Sequence, residues 1–157
     1  MATHEHHHLE ASWAMALSAT LHCLTGCAIG EVLGMILATW WGWGNAASVA
    51  LAIGLAFVFG YSLTLIPLLR AGTALAAAIG IALVADTFSI VTMELVDNAV
   101  LLLWPGVMEA GLRDVLFWAS LAIALAVAWG PTFLVNRALI RRGKGHALAH
   151  AAHGHGH

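Results

Sequence analysis

Residues 22–35 read HCLTGCAIGEVLGM, and they lie inside an apolar run that extends from about residue 11 to residue 41. Wound as an α-helix, this stretch would align side chains four residues apart in rows along its surface. One row holds Cys23, Cys27, Glu31 and Met35, and the next row holds His22, Gly26, Gly30 and Gly34. The pattern predicts a helix on which soft metal ligands and an acid run beside a groove of glycines.

The composition of the whole chain indicates a membrane protein. Of its 157 residues, 61% are hydrophobic and only 9% are charged, whereas soluble domains carry about a quarter charged residues. Four apolar runs, at about residues 11–41, 46–69, 73–104 and 115–140, each reach the roughly 20 residues that a spanning helix needs. We therefore expect an all-α integral membrane bundle of four transmembrane helices within residues 11–142, flanked by His-rich tails at 1–10 and 143–157.

The basic residues predict how this bundle is oriented. The side of the termini would carry Arg70, Arg137, Arg141, Arg142 and Lys144, and the opposite side would carry Arg113. Because cytoplasmic segments are enriched in arginine and lysine, both termini should be cytoplasmic, with the protein in the inner membrane of a bacterium. The formal net charge of −2 argues against a nucleic-acid partner.

The third apolar run carries three acids, Asp86, Glu94 and Asp97, on one helical face. Each charge near the middle of a bilayer costs roughly 2.5–3.5 kcal/mol, so acids in such a run need a compensating role. No lysine or arginine lies in the apolar runs at their depth. The acids should therefore stay protonated, hydrogen-bond to one another, reach water or bind a cation. A pair of Glu31 and Glu94 would share a proton and titrate as a unit, or would form a neutral hydrogen bond that joins two helices.

The depth of these groups follows from counting back from the tryptophan that ends each run. Glu31 and Glu94 each precede that tryptophan by ten residues, and Cys23 and Asp86 each precede it by eighteen. The first and third spans cross the membrane in the same direction. If they pack together, the sequence predicts two polar layers, one joining Glu31 to Glu94 and one joining Cys23 and His22 to Asp86.

The cysteines suggest a metal site. Cys23 and Cys27 are one helical turn apart and could face one ion, with His22 leaning toward the same side. Thiolate and thioether ligands suit Cu(I), and imidazole with thiolate also suits zinc. The alternative is that the cysteines pack as small apolar residues. The predicted ligand set is His22, Cys23, Cys27, Glu31, Met35, Met93 and Glu94, with Asp86 and Asp97 assisting the glutamates in charge neutralisation or proton coupling.

The two tails add further histidines. They could capture a metal ion on the cytoplasmic side, or they could simply be solvated. The histidines concerned are His4, His6, His7, His8, His150, His153, His155 and His157.

The stretches HCLTGCAIGEVLG, ADTFSIVTMELVDN and NRALIRRGKGHA resemble the signature segments of a family of short bacterial membrane proteins that is known as a domain of unknown function. The resemblance covers most of residues 12–146 and includes an HCxxGC motif. It implies a four-helix membrane domain, and some relatives occur in copper-related contexts. It supplies no established mechanism.

Three functional hypotheses follow, none of them enzymatic. The leading hypothesis is a small inner-membrane protein that binds, and moves, a soft ion such as Cu(I) through the His/Cys/Glu site. The second is a proton or monovalent-cation pathway built on the buried acids. The third is an assembly subunit that docks a larger membrane complex through Gly26, Gly30 and Gly34. These glycines form a small-xxx-small surface, whose other interpretation is simple packing of one helix on another. Since four spans are few for a transporter, we expect a homo-oligomer in the lipid bilayer, with a metal carrier or a larger complex as partner.

Overall fold

The computed structural model describes the backbone of residues 2–142 and the side chains of residues 13–142. This part of the chain forms four α-helices, α1 at Ala2–Trp41, α2 at Asn45–Arg70, α3 at Leu75–Leu103 and α4 at Val115–Arg141. A 3-10 turn, Val107–Glu109, lies between α3 and α4. All four α-helices are long and apolar enough to cross a membrane. The predicted all-α bundle of four spanning helices is confirmed, and its orientation in the membrane stays a prediction.

Tight turns join the helices and force them to run antiparallel. Gly42 and Gly72 adopt φ values of 68° and 84° directly after α1 and α2, in the left-handed region that glycine enters without strain. The longer connection before α4 is held by Asp114, whose carboxylate accepts a hydrogen bond of 2.7 Å from the Gly111 amide. A short turn makes its two helices pack together, as α1 does with α2, and α3 also packs against α4 across the longer connection.

The bundle is apolar outside and partly polar inside. Large apolar side chains such as Leu103 and Val115 are more than 80% exposed, whereas Thr20, Asp97 and Thr132 are fully buried. A soluble protein would expose few such residues, but a lipid-facing surface favours them. The polar residues of these helices therefore collect in the interior, which is where a functional site can form.

The glycine row of α1 packs against α2. A Cβ atom added to Gly30 would lie 2.5 Å from the Cα atom of Ala56, and one added to Gly26 would lie 2.8 Å from that of Gly60. Gly34 has an equally close backbone neighbour on α2. The two helices thus approach backbone to backbone, as small-xxx-small surfaces allow. Since α2 already covers the glycine row, these three glycines are not free to dock a partner complex.

The two ends of the bundle differ in their side chains. At the tryptophan end, where α1 and α3 finish and α2 and α4 begin, Trp40, Trp41 and Trp43 are exposed. At the opposite, arginine end, the Arg137 guanidinium lies 3.8 Å from the centre of the Trp13 ring. Tryptophan and arginine side chains of this kind suit the interface between lipid and water.

Candidate functional site

Three acids from two helices converge inside the bundle. Glu31 lies on α1, Glu94 and Asp97 lie on α3, and one carboxylate oxygen of each is within 4.8 Å of the others. Their side chains are only 8%, 4% and 0% exposed. The predicted proximity of Glu31 to Glu94 is confirmed. Asp97 joins them because it lies three residues after Glu94, on the same face of α3. We call these three residues the acid cluster.

The acid cluster lacks a compensating positive charge, since no salt bridge forms among the described residues. Both carboxylate oxygens of Glu31, and one each of Glu94 and Asp97, are buried and receive no hydrogen bond from an N–H or hydroxyl donor. The Glu31 carboxyl lies within hydrogen-bonding reach of the Asp97 carboxyl. Asn98 supplies donors to the other two oxygens: its side-chain amide lies 3.3 Å from Glu94 Oε2, and its backbone amide lies 2.7 Å from Asp97 Oδ1.

The electrostatics of this arrangement limit what the acid cluster can hold. Two carboxylates about 5 Å apart repel each other by roughly 3 kcal/mol at an effective dielectric constant of about 20. Three ionised groups at such separations, shielded from water, are not stable without a counter-charge. The acid cluster must therefore hold protons, a cation or both.

The cysteines adjoin the acid cluster on its arginine-end side. The Cys27 thiol lies beside both Cys23 and the Glu94 carboxyl. Both cysteines are buried free thiols. Met93 is fully buried in the same core, and the Thr132 hydroxyl approaches its sulfur at 3.9 Å. Sulfur atoms thus line one flank of the acid cluster.

His22 does not join the cysteines. Its ring Nε2 lies 3.2 Å from the Thr64 hydroxyl on α2, and Thr64 also adjoins the Asp86 carboxyl on α3. His22 belongs to the glycine row, which faces α2, whereas Cys23 packs with Cys27 in the apolar core. The predicted ligand set of His22 with both cysteines is therefore split. In the second predicted layer, His22 and Asp86 meet through Thr64.

A cavity of about 320 Å³ leads from the tryptophan end to the acid cluster. Exposed residues form its mouth, among them Trp43, Asn45 and Glu109. The Asn45 side-chain amide donates a hydrogen bond of 3.0 Å to the Met108 carbonyl and so ties α2 to the 3-10 turn. Glu31 lies at the inner end, together with polar side chains that the sequence had not singled out. These are Ser48, Asn98 and Ser120.

The cavity walls are mostly apolar. They include Met35, which the sequence had proposed as a metal ligand and which lies close to Glu31 on the same helix. The wall residues include Met35, Val49, Leu101, Val107, Phe117 and Leu121.

A second polar group links three helices toward the arginine end and was also missed. The Asn136 amide nitrogen donates a hydrogen bond of 2.9 Å to Thr20 Oγ1 on α1, and its oxygen accepts one from Ser89 on α3. All three side chains are buried. A buried asparagine in an apolar run needs hydrogen-bond partners, and this signal would have found Asn136. Unlike the acid cluster, its amide is paired on both sides.

The tail histidines proposed to capture metal lie outside the side chains that the structure describes. They are His4, His6, His7, His8, His150, His153, His155 and His157.

Comparison with known proteins gives one match. Residues 12–145 match the model of a protein family described as a domain of unknown function, DUF4396. Neither the curated proteins nor the solved structures contain a match to the chain. The matched range contains the acid cluster, both cysteines and every residue that lines the cavity. The chain therefore belongs to the DUF4396 family.

Proposed function

We propose that the protein binds protons or a monovalent cation at the acid cluster and passes them across the membrane. This was the second of the hypotheses from the sequence, and one observation favours it over the first. Both oxygens of Glu31 are buried without an N–H or hydroxyl donor, their neighbour is the carboxyl of a second acid, Asp97, and Glu31 lines the cavity. An ion that enters this cavity would supply the positive charge that the protein itself does not.

The position of the polar groups supports movement of protons or monovalent cations through the protein as well as their binding. Ionisable residues inside a membrane generally mark ion or proton pathways. With the predicted orientation, the cavity would bring ions from the outer face to the acid cluster. His22 and Asp86, which both contact Thr64, would provide titratable groups in the cytoplasmic half. Ions would pass between these two positions along the core of the bundle.

Flux measurements in liposomes test this proposal. Wild-type protein should carry protons or a monovalent cation at a rate well above that of empty liposomes. Glu31→Gln and Glu94→Gln should each lose about tenfold or more of that flux, because each removes a carboxylate that holds the ion. The Cys23→Ser/Cys27→Ser variant should keep wild-type flux. Unaltered flux in both glutamine variants would exclude the proposal.

A second candidate function, binding of a soft metal ion, is favoured by one contact. The Cys27 thiol lies against Cys23 and Glu94, so two sulfur atoms and a carboxylate could converge on a single Cu(I) or Zn²⁺ ion. This ligand set differs from that predicted by the sequence, because His22 is turned toward α2.

Metal analysis of the detergent-purified protein distinguishes this candidate. With the tail histidines replaced by glutamine, the protein should retain about one equivalent of copper or zinc per chain. Adding Cys23→Ser and Cys27→Ser should reduce the bound metal to background, whereas adding His22→Gln should leave it unchanged. Equally little metal in the preparations with and without the cysteines would rule out the site.

A further inference from the structure

The cavity is much larger than a bare ion requires. A water molecule occupies about 30 Å³, so a cavity of about 320 Å³ could hold roughly ten waters. Pockets for small organic ligands begin at about 300 Å³. Apolar side chains form most of the walls, and they offer a surface against which the apolar part of a ligand can pack. The size and the walls both suit an organic molecule.

We propose that the cavity binds a small organic cation, an ammonium or guanidinium group carried by an apolar body. Its charged end would lie against Glu31, and its body would fill the space toward the tryptophan end. The inference rests on the part of the proposed function that places a cation at the acid cluster, because Glu31 of that cluster would hold the organic cation. It adds the class of substrate that the site selects.

The inner end of the cavity offers hydrogen-bond acceptors and hardly any free donors. The Ser48 and Ser120 hydroxyls donate to the backbone carbonyls of Gly44 and Phe117, so their lone pairs remain for a ligand. The Asn98 amide donates to the Glu94 side chain and backbone. The Glu31 oxygens receive no hydrogen bond from an N–H or hydroxyl donor. A ligand with several N–H donors and a positive charge satisfies this set, whereas an anion does not.

The rest of the cavity suits an apolar body. Val49 on α2, Leu101 on α3 and Phe117 on α4 approach it from three sides, and covering them excludes water from apolar surface. Met35 contributes a side chain that can adapt to ligands of different shape. Trp43 at the mouth adds an aromatic ring, on whose face a cation can also rest during entry.

Binding of benzylammonium to the purified full-length protein tests this inference. Benzylammonium combines one charge with a small apolar ring, and benzyl alcohol has nearly the same shape without the charge. Calorimetry should show saturable binding of benzylammonium and at least about tenfold weaker binding of benzyl alcohol. Glu31→Gln should weaken benzylammonium binding by about tenfold or more, because the buried carboxylate is lost.

A substitution in the cavity wall tests the role of the cavity separately from that of the Glu31 carboxylate. Val49→Trp should fill the cavity and abolish benzylammonium binding while the acid cluster stays intact. The matched variant is Val58→Trp, at a position of α2 where the native side chain is 57% exposed. It should bind benzylammonium like wild type. The inference is overturned if wild-type protein does not bind benzylammonium, binds benzyl alcohol equally well, or retains binding in Val49→Trp.

The outcome also separates this inference from the proposed function. If flux of protons or monovalent cations is lost in Glu31→Gln but wild-type protein does not bind benzylammonium, only the organic substrate is disproved. If benzylammonium binds in a Glu31-dependent way but no flux of protons or monovalent cations occurs, the ion pathway is disproved and the organic-cation site stands.

Discussion

Replacing Gly30 by leucine should prevent α1 from packing against α2 and so stop the bundle from assembling. A Cβ atom at Gly30 would lie 2.5 Å from the Cα atom of Ala56 and 2.8 Å from the carbonyl carbon of Leu55. Both of these are backbone atoms, so no change of rotamer can make room. Overpacking in a well-packed core costs about 1–3 kcal/mol. Here two backbones must separate, so we expect a loss at or above the top of that range.

Size-exclusion chromatography and thermal unfolding in detergent measure this effect. Gly30→Leu should give little monodisperse protein and a much lower unfolding temperature. The matched variant is Gly54→Leu, since a Cβ atom at Gly54 meets nothing within 4 Å. It should change the unfolding free energy by no more than about 0.5 kcal/mol. Equal unfolding temperatures for the two variants would contradict the packing of α1 on α2.

The sequence foresaw the glycine surface but not what covers it. Helical periodicity places Gly26, Gly30 and Gly34 in one row, and small residues four apart indicate close helix packing. Periodicity cannot distinguish a helix of the same chain from a helix of another protein. The short turn at Gly42 decides which helix covers the glycine row, because it places α2 directly alongside α1.

The same limit explains which parts of the candidate site were predictable. Counting residues from the tryptophans gave the height of Glu31 and Glu94 correctly, because helices rise by a constant amount per residue. Height does not fix the direction in which a side chain points around the bundle. His22 has nearly the height of Cys23 but lies about 100° away on the helix, so it meets Thr64 on α2 instead of the cysteines.

The cavity could not be predicted from the sequence, for a different reason. Its mouth depends on where the connection between α3 and α4 lies, and that connection is held by a contact between Asn45 and Met108, which are distant in the chain. Irregular segments have no periodicity from which such a contact could be predicted. Its polar inner residues are serines and an asparagine, which are less conspicuous in an apolar run than the acids.

Neutralising the acid cluster should make the bundle more stable while it abolishes ion flux. In the variant Glu31→Gln/Glu94→Gln/Asp97→Asn, the side chains keep their size but lose the charges that repel one another. Replacing a buried ion pair by apolar groups of similar volume is often neutral or stabilising by about 1–4 kcal/mol, and amides that remove the repulsion among the acids should act in the same direction. Sites retained for function are commonly destabilising in this way. Thermal unfolding in one detergent should therefore show a higher midpoint, and liposomes should show no flux.

Asn136 provides a comparison for the stability of the neutralised variant, because its buried polar side chain is hydrogen-bonded on both sides. Asn136 is hydrogen-bonded to both Thr20 and Ser89, so its amide should stabilise the bundle. Asn136→Ala should lower the unfolding free energy by about 0.6–1.7 kcal/mol, the range found for hydrogen bonds between membrane helices. If the neutralised variant loses as much stability as Asn136→Ala, the acids act as neutral hydrogen-bonded links between α1 and α3. If it gains stability, the acids destabilise the bundle, as expected of groups that are retained to bind protons or a cation.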